Sequence, residues 1–368
     1  MSVLETSRPG DEEAGGHDPL TTKEGWRQFV NQPHNPPDLR DPAVVGSIDT
    51  GSPHAAAVIE DMRLAHHSRL AVVATPTVSQ VTLSGRRLVV LNRAQLSARR
   101  GLVVSGPAGT GKTTAITQLG KAHELATRLR HPQSGPRMPV IYVTVPPAAT
   151  AKMLAVDFAR FLGLPASPRA NITDITDAVC AVLTDLRCDM VIVDELHNLN
   201  MSTRAGAEVS DQLKYFSERL PATFIYAGID LERLGLFTGT RGRQIASRFT
   251  TIATTPFGYS TTTQREQWHA LIATLEQTLH LRRHRAGNLV ALAAHLHDRT
   301  GGMIGSLSHL VRAAAIDAII TGTEKITRAG LARVQLDHAA ETHHRCTVPA
   351  RRGRSPRAAA GPAATETA

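Results

Sequence analysis

A glycine-rich segment that ends in lysine and threonine is the part of this sequence best suited to do chemistry. Residues 101–116 read GLVVSGPAGTGKTTAI, which contains the spacing G-x-x-x-x-G-K-T. Glycines let the backbone N–H groups of a tight loop turn inward around phosphates. The lysine can reach the outer phosphates, and the hydroxyl after it can hold Mg²⁺. The pattern predicts a phosphate-binding loop formed by Gly106, Pro107, Ala108, Gly109, Thr110, Gly111, Lys112, Thr113 and Thr114.

An acidic pair further along the chain completes this chemistry. The string MVIVDE, residues 190–195, ends in Asp194 and Glu195 after four apolar residues. Such a run is typical of a strand buried on both faces. A carboxylate at its end can hold Mg²⁺, and the next one can activate water for attack on a phosphate. The sequence therefore predicts Thr113 and Asp194 as metal ligands and Glu195 as a catalytic residue, whereas capping of the following turn is the alternative interpretation.

Composition narrows the class of protein. The chain has 368 residues, a formal net charge of +9, 4% aromatic residues and three cysteines. The cysteines lack metal-ligand spacing, no long apolar run is present, and the first residues are acidic, so we expect a cytoplasmic protein without a membrane segment. Acidic residues dominate residues 1–61 and basic residues dominate the rest. The basic part favours a polyanionic partner, with nucleic acid the first candidate, and a high-GC composition that favours arginine is the alternative explanation.

Strand and helix patterns alternate after the glycine-rich loop, which predicts a parallel α/β sheet flanked by helices. Before the loop, residues 72–91 alternate in pieces and predict a β-hairpin that turns at Ser84-Gly85. Beyond residue 257 the pattern is helical only. The predicted division is a disordered acidic arm (1–20), a short helix and Pro-rich linker (21–54), a P-loop α/β core with an N-terminal extension (55–257), a small all-helical lid domain (258–340) and a disordered basic tail (341–368).

The segment 21–31 predicts one short helix outside the core. Thr21 and Glu24 have the spacing of a capping box, and Trp26 shares a helix face with Phe29. Because aromatic residues are scarce in the rest of the chain, this pair could dock on a partner protein or on the protein's own body, and we favour the second.

Four strings carry a resemblance to a known family. In this order, GPAGTGKTT, VIVDELHNL, QIASRF and TGGMIGSLSHLVRAAAIDAIITG resemble the motifs of an AAA+ ATPase, and within that superfamily those of the TniB transposition ATPases. The resemblance covers residues 55–340. It implies a P-loop AAA+ fold followed by a helical lid, with ATP and Mg²⁺ as cofactors and Mg²⁺-dependent ATP hydrolysis as the activity.

The resemblance also implies a catalytic residue supplied by a neighbouring subunit. Arg248, in the string Ser-Arg-Phe, is similar to the arginine finger that such proteins present to a neighbour's γ-phosphate. A cation there would offset negative charge that develops on the phosphoryl oxygens. Arg241 and Arg243 compete for this role, and a solvated or DNA-facing basic cluster is the alternative for all three.

Sensor positions of the family are matched less closely. The segment 301–306 occupies the place of the second sensor but offers no arginine before Arg312, which puts direct contact of the lid with nucleotide in doubt. His197 and Asn198 could position water beside the acidic pair, and for His197 a turn residue is the favoured interpretation. The first sensor should follow the string TFIYAG, where the candidates are Tyr226, Gly228 and Asp230.

Histidine and arginine clusters suggest anion binding rather than metal binding. His280 and His284 are four residues apart but lie among arginines, which would repel a cation, so we predict a solvated or phosphate-facing surface. Contacts with DNA phosphates would be salt-sensitive and nonspecific. The candidates are Arg282, Arg283, Arg285, Arg241, Arg243, Arg345, Arg351, Arg352, Arg354 and Arg357.

These observations favour an ATPase that oligomerises on double-stranded DNA and recruits or activates a transposase. The alternative is a nucleotide-dependent signalling or defence switch that acts through a protein partner without DNA. Such switches usually carry long repeat or effector domains, and only a short tail follows the last predicted helix.

Overall fold

Five parallel strands form the central sheet. The computed structural model describes residues 18–32, 53–69, 72–132, 135–165, 169–199, 203–233, 246–338 and 340–342. The order across the sheet is β2-β3-β4-β1-β5, and all neighbouring strands run parallel. The strands are β1 (Gly101–Ser105), β2 (Val140–Thr144), β3 (Met190–Asp194), β4 (Thr223–Gly228) and β5 (Phe249–Ala253).

Helices cover the sheet and continue beyond it. The first seven are α1 (Lys23–Asn31), α2 (Pro53–Ser68), α3 (Pro76–Asn92), α4 (Lys112–Arg130), α5 (Ala151–Leu162), α6 (Ile172–Asp185) and α7 (Arg204–Arg219). After β5 the described chain is helical, with α8 (Thr262–Gln277), α9 (Ala293–Thr300), α10 (Ile304–Ile320) and α11 (Arg328–Arg333). Short 3₁₀ helices cover Leu196–Asn198 and Val290–Leu292. This arrangement confirms the predicted fold class, a parallel α/β sheet followed by a helical lid.

Apolar strand sequences explain why the sheet lies inside the protein. Every residue of β1, β3 and β4 is buried, as strands covered on both faces require. These strands belong to a core that also contains Trp26 and Phe158, whereas a second apolar core, centred on Trp268, lies among the helices after β5. Trp268 donates from Nε1 to the carbonyl oxygen of Ala293 at 2.9 Å, which satisfies its buried N–H group.

Residues 72–91 are the clearest error of the sequence prediction. They form the end of a connecting segment and the helix α3 rather than a hairpin. Thr75 caps this helix by accepting from Val78 N at 3.2 Å, and Pro76 occupies its first turn. Gly85 is a site of close helix packing rather than a turn, because a Cβ there would lie 2.3 Å from Leu119 Cδ2 on α4. The buried face follows helical spacing, with Val81, Gly85, Leu88, Val89 and Asn92.

The first helix docks on the protein's own body, as we favoured. Trp26 is buried beneath α1, where its Nε1 donates to Glu124 Oε2 on α4 at 2.6 Å. The helix begins one residue later than the capping-box spacing predicts, because Thr22 rather than Thr21 caps it by accepting from Gly25 N at 3.1 Å. The aromatic pair therefore anchors α1 to the α/β core.

Helix α2 is joined to the lid by buried polar contacts. Arg63 pairs with Glu324 at 2.5 Å and donates to the carbonyl oxygen of His280. The ring of His66 stacks on that of His280 with centroids 3.8 Å apart, and His67 Nε2 accepts from the backbone N–H of His280 at 3.2 Å. The predicted solvated histidine surface is wrong at His280, because this residue is buried in the contact.

This contact predicts a loss of stability in mild acid. Burial, and then the neighbouring side chains of His66, His280, Arg63 and Arg312, lower the pKa of His67 to about 3. An unfolded histidine has a pKa near ~6.5, so the unfolded state binds more protons between pH 6.5 and 3 and the contribution to stability is lost as pH falls through that window. From this residue alone we expect the free energy of unfolding to fall by about 2 kcal/mol between pH 8 and pH 5. Urea denaturation at both pH values measures this change. In His67→Gln, whose side chain cannot titrate, the free energy of unfolding should fall by less. An equal fall would contradict the assignment of the effect to His67.

Candidate nucleotide-binding site

The glycine-rich loop joins β1 to α4 in the conformation that a phosphate cradle needs. Gly106, Gly109 and Gly111 have φ angles of 147°, 76° and 85°, a region that glycine adopts without strain. A Cβ at Gly106 would lie 2.2 Å from the carbonyl oxygen of Thr254. No side chain caps α4 at Gly111, so the N–H groups of its first turn remain available to an anion.

Polar side chains of the loop form hydrogen bonds with the loop's own carbonyl oxygens and with Thr254, the residue after β5. Lys112 Nζ donates to the carbonyl oxygens of Gly106 at 2.9 Å and Pro107 at 2.6 Å. Thr110 Oγ1 donates to Pro107 O at 2.8 Å and lies 2.7 Å from Thr254 Oγ1. Burial lowers the pKa of Lys112, while Asp194, Glu195 and Asp230 act in the opposite direction. Three carboxylates therefore lie near this ammonium group.

Asp194 is brought directly to the loop. The Thr113 hydroxyl donates to Asp194 Oδ2 at 2.7 Å, although 81 positions separate the two residues. Tyr142, at the centre of β2, donates its hydroxyl to the same oxygen at 3.0 Å. Burial, and then the neighbouring Asp194, raise the pKa of Tyr142, so its hydroxyl stays protonated. Sequence reasoning missed Tyr142; the available signal was one phenol within an otherwise apolar strand beside the acidic one.

Glu195 points into more open space than its neighbour. Its side chain is 46% exposed, and its backbone has a left-handed φ of 57°. The backbone N–H of Glu195 donates to Asp194 Oδ1 at 2.8 Å, which fixes the turn between the two carboxylates. His197 Nδ1 lies 3.2 Å from Glu195 Oε2 without hydrogen-bond geometry. Asn198 donates to the carbonyl oxygen of Val145 at 2.8 Å, which is a turn contact.

Of the first-sensor candidates, Tyr226 lies elsewhere. Its ring is buried and stacks on Phe249 of β5 with centroids 4.8 Å apart. Gly228 permits a close approach of the chain, because a Cβ there would lie 3.0 Å from the backbone nitrogen of His197. Asp230 has a left-handed φ of 43° and acts electrostatically on Lys112. Gly228 lines the same cavity as the loop lysine, and Asp230 acts on the charge of that lysine.

The lid contacts the loop through backbone atoms rather than through an arginine. Gly305 N donates to Gly109 O at 2.9 Å, and a Cβ at Gly111 would lie 3.2 Å from Ile304 Cγ2. Arg312 serves a different contact, because its guanidinium donates to the carbonyl oxygens of His67 and Ser68 at the end of α2. The lid therefore closes one side of the site without a cationic sensor from this segment.

A cavity of about 300 Å³ lies where the loop, the acidic pair and the lid meet. Residues 108–114 line it together with Asp194 and Glu195, and apolar side chains form much of the remaining wall. Ser308 also lines the cavity, and its Oγ has no hydrogen-bond partner among the described residues. The size lies at the lower end of the range for small-molecule sites. The apolar wall, which sequence reasoning missed, comprises Val72, Val73, Val78, Leu275 and Ile304.

Arg248 lies at the opposite edge of the sheet from the loop. It directly precedes β5, and Phe249 is paired with Gly101 at the start of β1, whereas the loop follows Ser105 at the end of β1. At ~3.3 Å per residue this separates them by roughly 13 Å or more. Arg248 is 39% exposed and lies 3.9 Å from Glu218 Oε1. Arg241 and Arg243 lie outside the described residues.

The predicted basic clusters are only partly surface groups. Arg282, Arg283 and Arg285 are exposed, but His284 is buried and its Nε2 lies 2.9 Å from Glu276 Oε1 inside the lid. The tail arginines predicted as DNA contacts lie outside the described residues, namely Arg345, Arg351, Arg352, Arg354 and Arg357.

Among the described helices, none combines the length and the apolar composition that a membrane span requires. The described residues also contain no group of three or more His, Cys, Asp or Glu residues that could hold a metal ion.

The strand order, the loop after β1, the acidic pair after β3 and the helical lid define the AAA+ class of P-loop ATPase folds. A family model described as Bacterial TniB protein matches residues 71–259. The chain belongs to the TniB family.

Solved structures share the fold at low sequence identity. The Aeropyrum pernix ORC1 protein in complex with DNA is 16% identical with a TM-score of 0.55, and the match covers 73% of this chain and 65% of that one. The Aeropyrum pernix ORC2 protein, in ADPNP-ADP complexes, is 17% identical with a TM-score of 0.52, and the match covers 72% and 68%. No curated protein sequence matches the chain. At these identities the likeness concerns the fold.

Proposed function

We propose that the chain binds ATP with Mg²⁺, hydrolyses ATP, and assembles as a homo-oligomer on double-stranded DNA, where it recruits or activates a transposase. One observation carries this proposal. The loop, Thr113, Asp194 and Glu195 share one cavity, whereas Arg248 lies at the far edge of the same sheet. The described residues that line this cavity include no arginine, and Arg248 is partly exposed elsewhere on the protein, an arrangement that suits an enzyme completed by its neighbour.

The loop residues would bind and orient the phosphates. Backbone N–H groups of residues 106–114 and the N-terminal end of α4 attract negative charge. Lys112 now donates to two loop carbonyl oxygens and lies close enough to the cavity to turn toward an outer phosphate. The apolar wall of the cavity would receive the base of the nucleotide.

Thr113 and Asp194 fit a magnesium ion. Hydroxyl and carboxylate oxygens are the donors that Mg²⁺ prefers, and this ion keeps several waters, so two protein ligands suffice. The 2.7 Å hydrogen bond between the two side chains already holds the donor atoms together. When bound, the ion would neutralise charge on the phosphate oxygens.

Glu195 would act as the general base. Its side chain is partly exposed and lines the cavity together with the loop, while its backbone N–H donates to Asp194 Oδ1. A base in that place can orient a water molecule and accept its proton. The partner's Arg248 would then offset charge in the transition state, and hydrolysis would be slow until subunits meet.

DNA and transposase partners have separate support. The net charge of +9 and the exposed Arg282, Arg283 and Arg285 suit a polyanion. Membership of the TniB family supports a role in transposition. The ORC1 protein of similar fold was solved in complex with DNA.

We also propose that the chain divides into two domains near residue 257, which the two separate apolar cores support. The cytoplasmic location stays a prediction.

Particle size tests the proposal. Sedimentation velocity of the full chain would be measured with ATP or ADP, with and without double-stranded DNA, at low and high salt. We expect large assemblies with ATP and DNA together, and smaller particles when salt is raised. Lys112→Ala, which should not retain the phosphates, is the matched negative control. If the chain stays monomeric and ignores DNA at low salt, the DNA role fails and a protein-directed nucleotide switch replaces it.

A further inference from the structure

Helix α1 packs against α4 and against β2, the neighbour of the strand that ends in Asp194. Its Trp26 is 2% exposed, and the indole stacks on the ring of Tyr142 with centroids 6.1 Å apart and planes 9° from parallel. The packing is tight, because a Cβ at Gly120 would lie 2.7 Å from Trp26 Cη2. Lys121 fixes the end of the helix by donating to the carbonyl oxygens of Phe29 at 3.0 Å and Gln32 at 2.7 Å.

The stacked phenol continues this contact to the site. Tyr142 is 4% exposed, and its hydroxyl donates to Asp194 Oδ2 at 3.0 Å. The same oxygen accepts from Thr113 at 2.7 Å. If the Thr113 hydroxyl turns to bind a cation, its hydrogen bond to Asp194 is lost. Among the described side chains, Tyr142 is then the donor that still orients Asp194 Oδ2. Such outer donors fix a ligating carboxylate, and their loss typically weakens metal binding by ~10–100-fold.

We propose that Tyr142 is a positioning residue for Asp194, and that Trp26 holds its ring, so that the N-terminal helix α1 sets the Mg²⁺ affinity of the nucleotide site. A segment outside the α/β core would thereby tune the site through two buried aromatic rings. The inference rests on the proposed role of Asp194 in holding Mg²⁺, and it adds a residue and a regulatory element that the phosphate loop and acidic pair do not include.

Magnesium titration tests the first step. Binding of a fluorescent, non-hydrolysable ATP analogue to the full chain would be followed at increasing Mg²⁺ concentration and in EDTA. In Tyr142→Phe, which keeps the ring and loses the hydroxyl, we expect half-maximal binding to require ~10-fold more Mg²⁺, with binding in EDTA unchanged. The matched control is Tyr226→Phe. Tyr226 is a buried tyrosine of β4, two strands from β2, and its ring stacks on Phe249.

Equal Mg²⁺ requirements in Tyr142→Phe and Tyr226→Phe would overturn the role of Tyr142. A wild-type chain that binds the analogue without any Mg²⁺ dependence would instead contradict the proposed role of Asp194. Thermal unfolding of each variant separates a folding defect from a binding defect, since Tyr142→Phe should unfold at nearly the temperature of Tyr226→Phe.

A double-variant cycle tests the second step. Trp26→Phe removes the hydrogen bond to Glu124 and reduces the stacked area, and we expect a ~3-fold higher Mg²⁺ requirement. If Trp26 acts through Tyr142, adding Trp26→Phe to Tyr142→Phe should change the requirement by less than ~2-fold. The role of α1 would be overturned if the Mg²⁺ requirement of the double variant rose by the product of the two single effects. It would also be overturned if Trp26→Phe alone left the Mg²⁺ requirement unchanged.

Discussion

Replacing Glu195 with glutamine is expected to reduce the rate of ATP hydrolysis by ~100–10,000-fold while nucleotide affinity changes by less than ~2-fold. Glutamine has nearly the same shape but cannot accept a proton. The hydrogen bond that fixes Asp194 comes from the backbone N–H of residue 195, so the substitution leaves it in place. Single-turnover hydrolysis and equilibrium binding measure the two quantities separately.

Two variants frame this result. Glu208→Gln alters a glutamate of α7 whose side chain is 52% exposed and paired with Arg204, and it should leave hydrolysis unchanged. Asp194→Asn should weaken Mg²⁺-dependent binding itself, because Asp194 rather than Glu195 contacts Thr113. Substantial hydrolysis by Glu195→Gln would assign the base to another group, with Asp230, which also acts on the charge of Lys112, as the next candidate.

Replacing Arg248 with alanine is expected to reduce DNA-stimulated hydrolysis by ~1,000-fold or more, which is the range for an arginine finger. The residue cannot serve its own site, because it precedes β5 at the edge of the sheet opposite the loop. It should therefore act on a neighbour, and binding of nucleotide to the variant alone should be nearly unchanged. Steady-state hydrolysis with saturating DNA measures the loss.

Mixing variants separates this mechanism from a structural defect. In a mixture of Arg248→Ala and Glu195→Gln, some contacts place an intact Glu195 against an intact Arg248, so hydrolysis should reappear although each variant alone is inactive. Arg160→Ala, which removes a 68% exposed arginine paired with Asp157 on α5, should behave as wild type. Without recovery in the mixture, the loss in Arg248→Ala would be a structural defect, and Arg241 and Arg243 would be the next candidates to test as the finger.

The phosphate loop and the acidic pair could be predicted from the sequence because their requirements are local. A strand, a loop with glycines at positive φ and a helix follow one another within residues 101–130, so the spacing alone predicts the conformation of the loop. The apolar run before Asp194 likewise encodes a strand buried on both faces. The order of these motifs also carried the resemblance to the TniB family.

Local patterns were insufficient where a neighbour decided the conformation. The alternation in residues 72–91 suggested a hairpin, but packing of Gly85 against Leu119 on α4 favours a helix. The histidines of the lid looked like a solvated cluster, yet His280 is buried against α2 and His284 against Glu276. In both cases the deciding partner lies in a different element of the chain.

Sequence alone determined which residues are candidates to hold phosphates, a magnesium ion and an attacking water, and those roles stay proposals. Tertiary structure decided which residues support that chemistry. Tyr142 reaches Asp194 from β2, Trp26 reaches Tyr142 from α1, and Gly305 of the lid reaches Gly109. The tertiary structure also places Arg248 at the opposite end of the strands from the loop. Strand order and helix docking set these distances, and both follow from burial of apolar surface summed over the whole chain, which no single motif encodes.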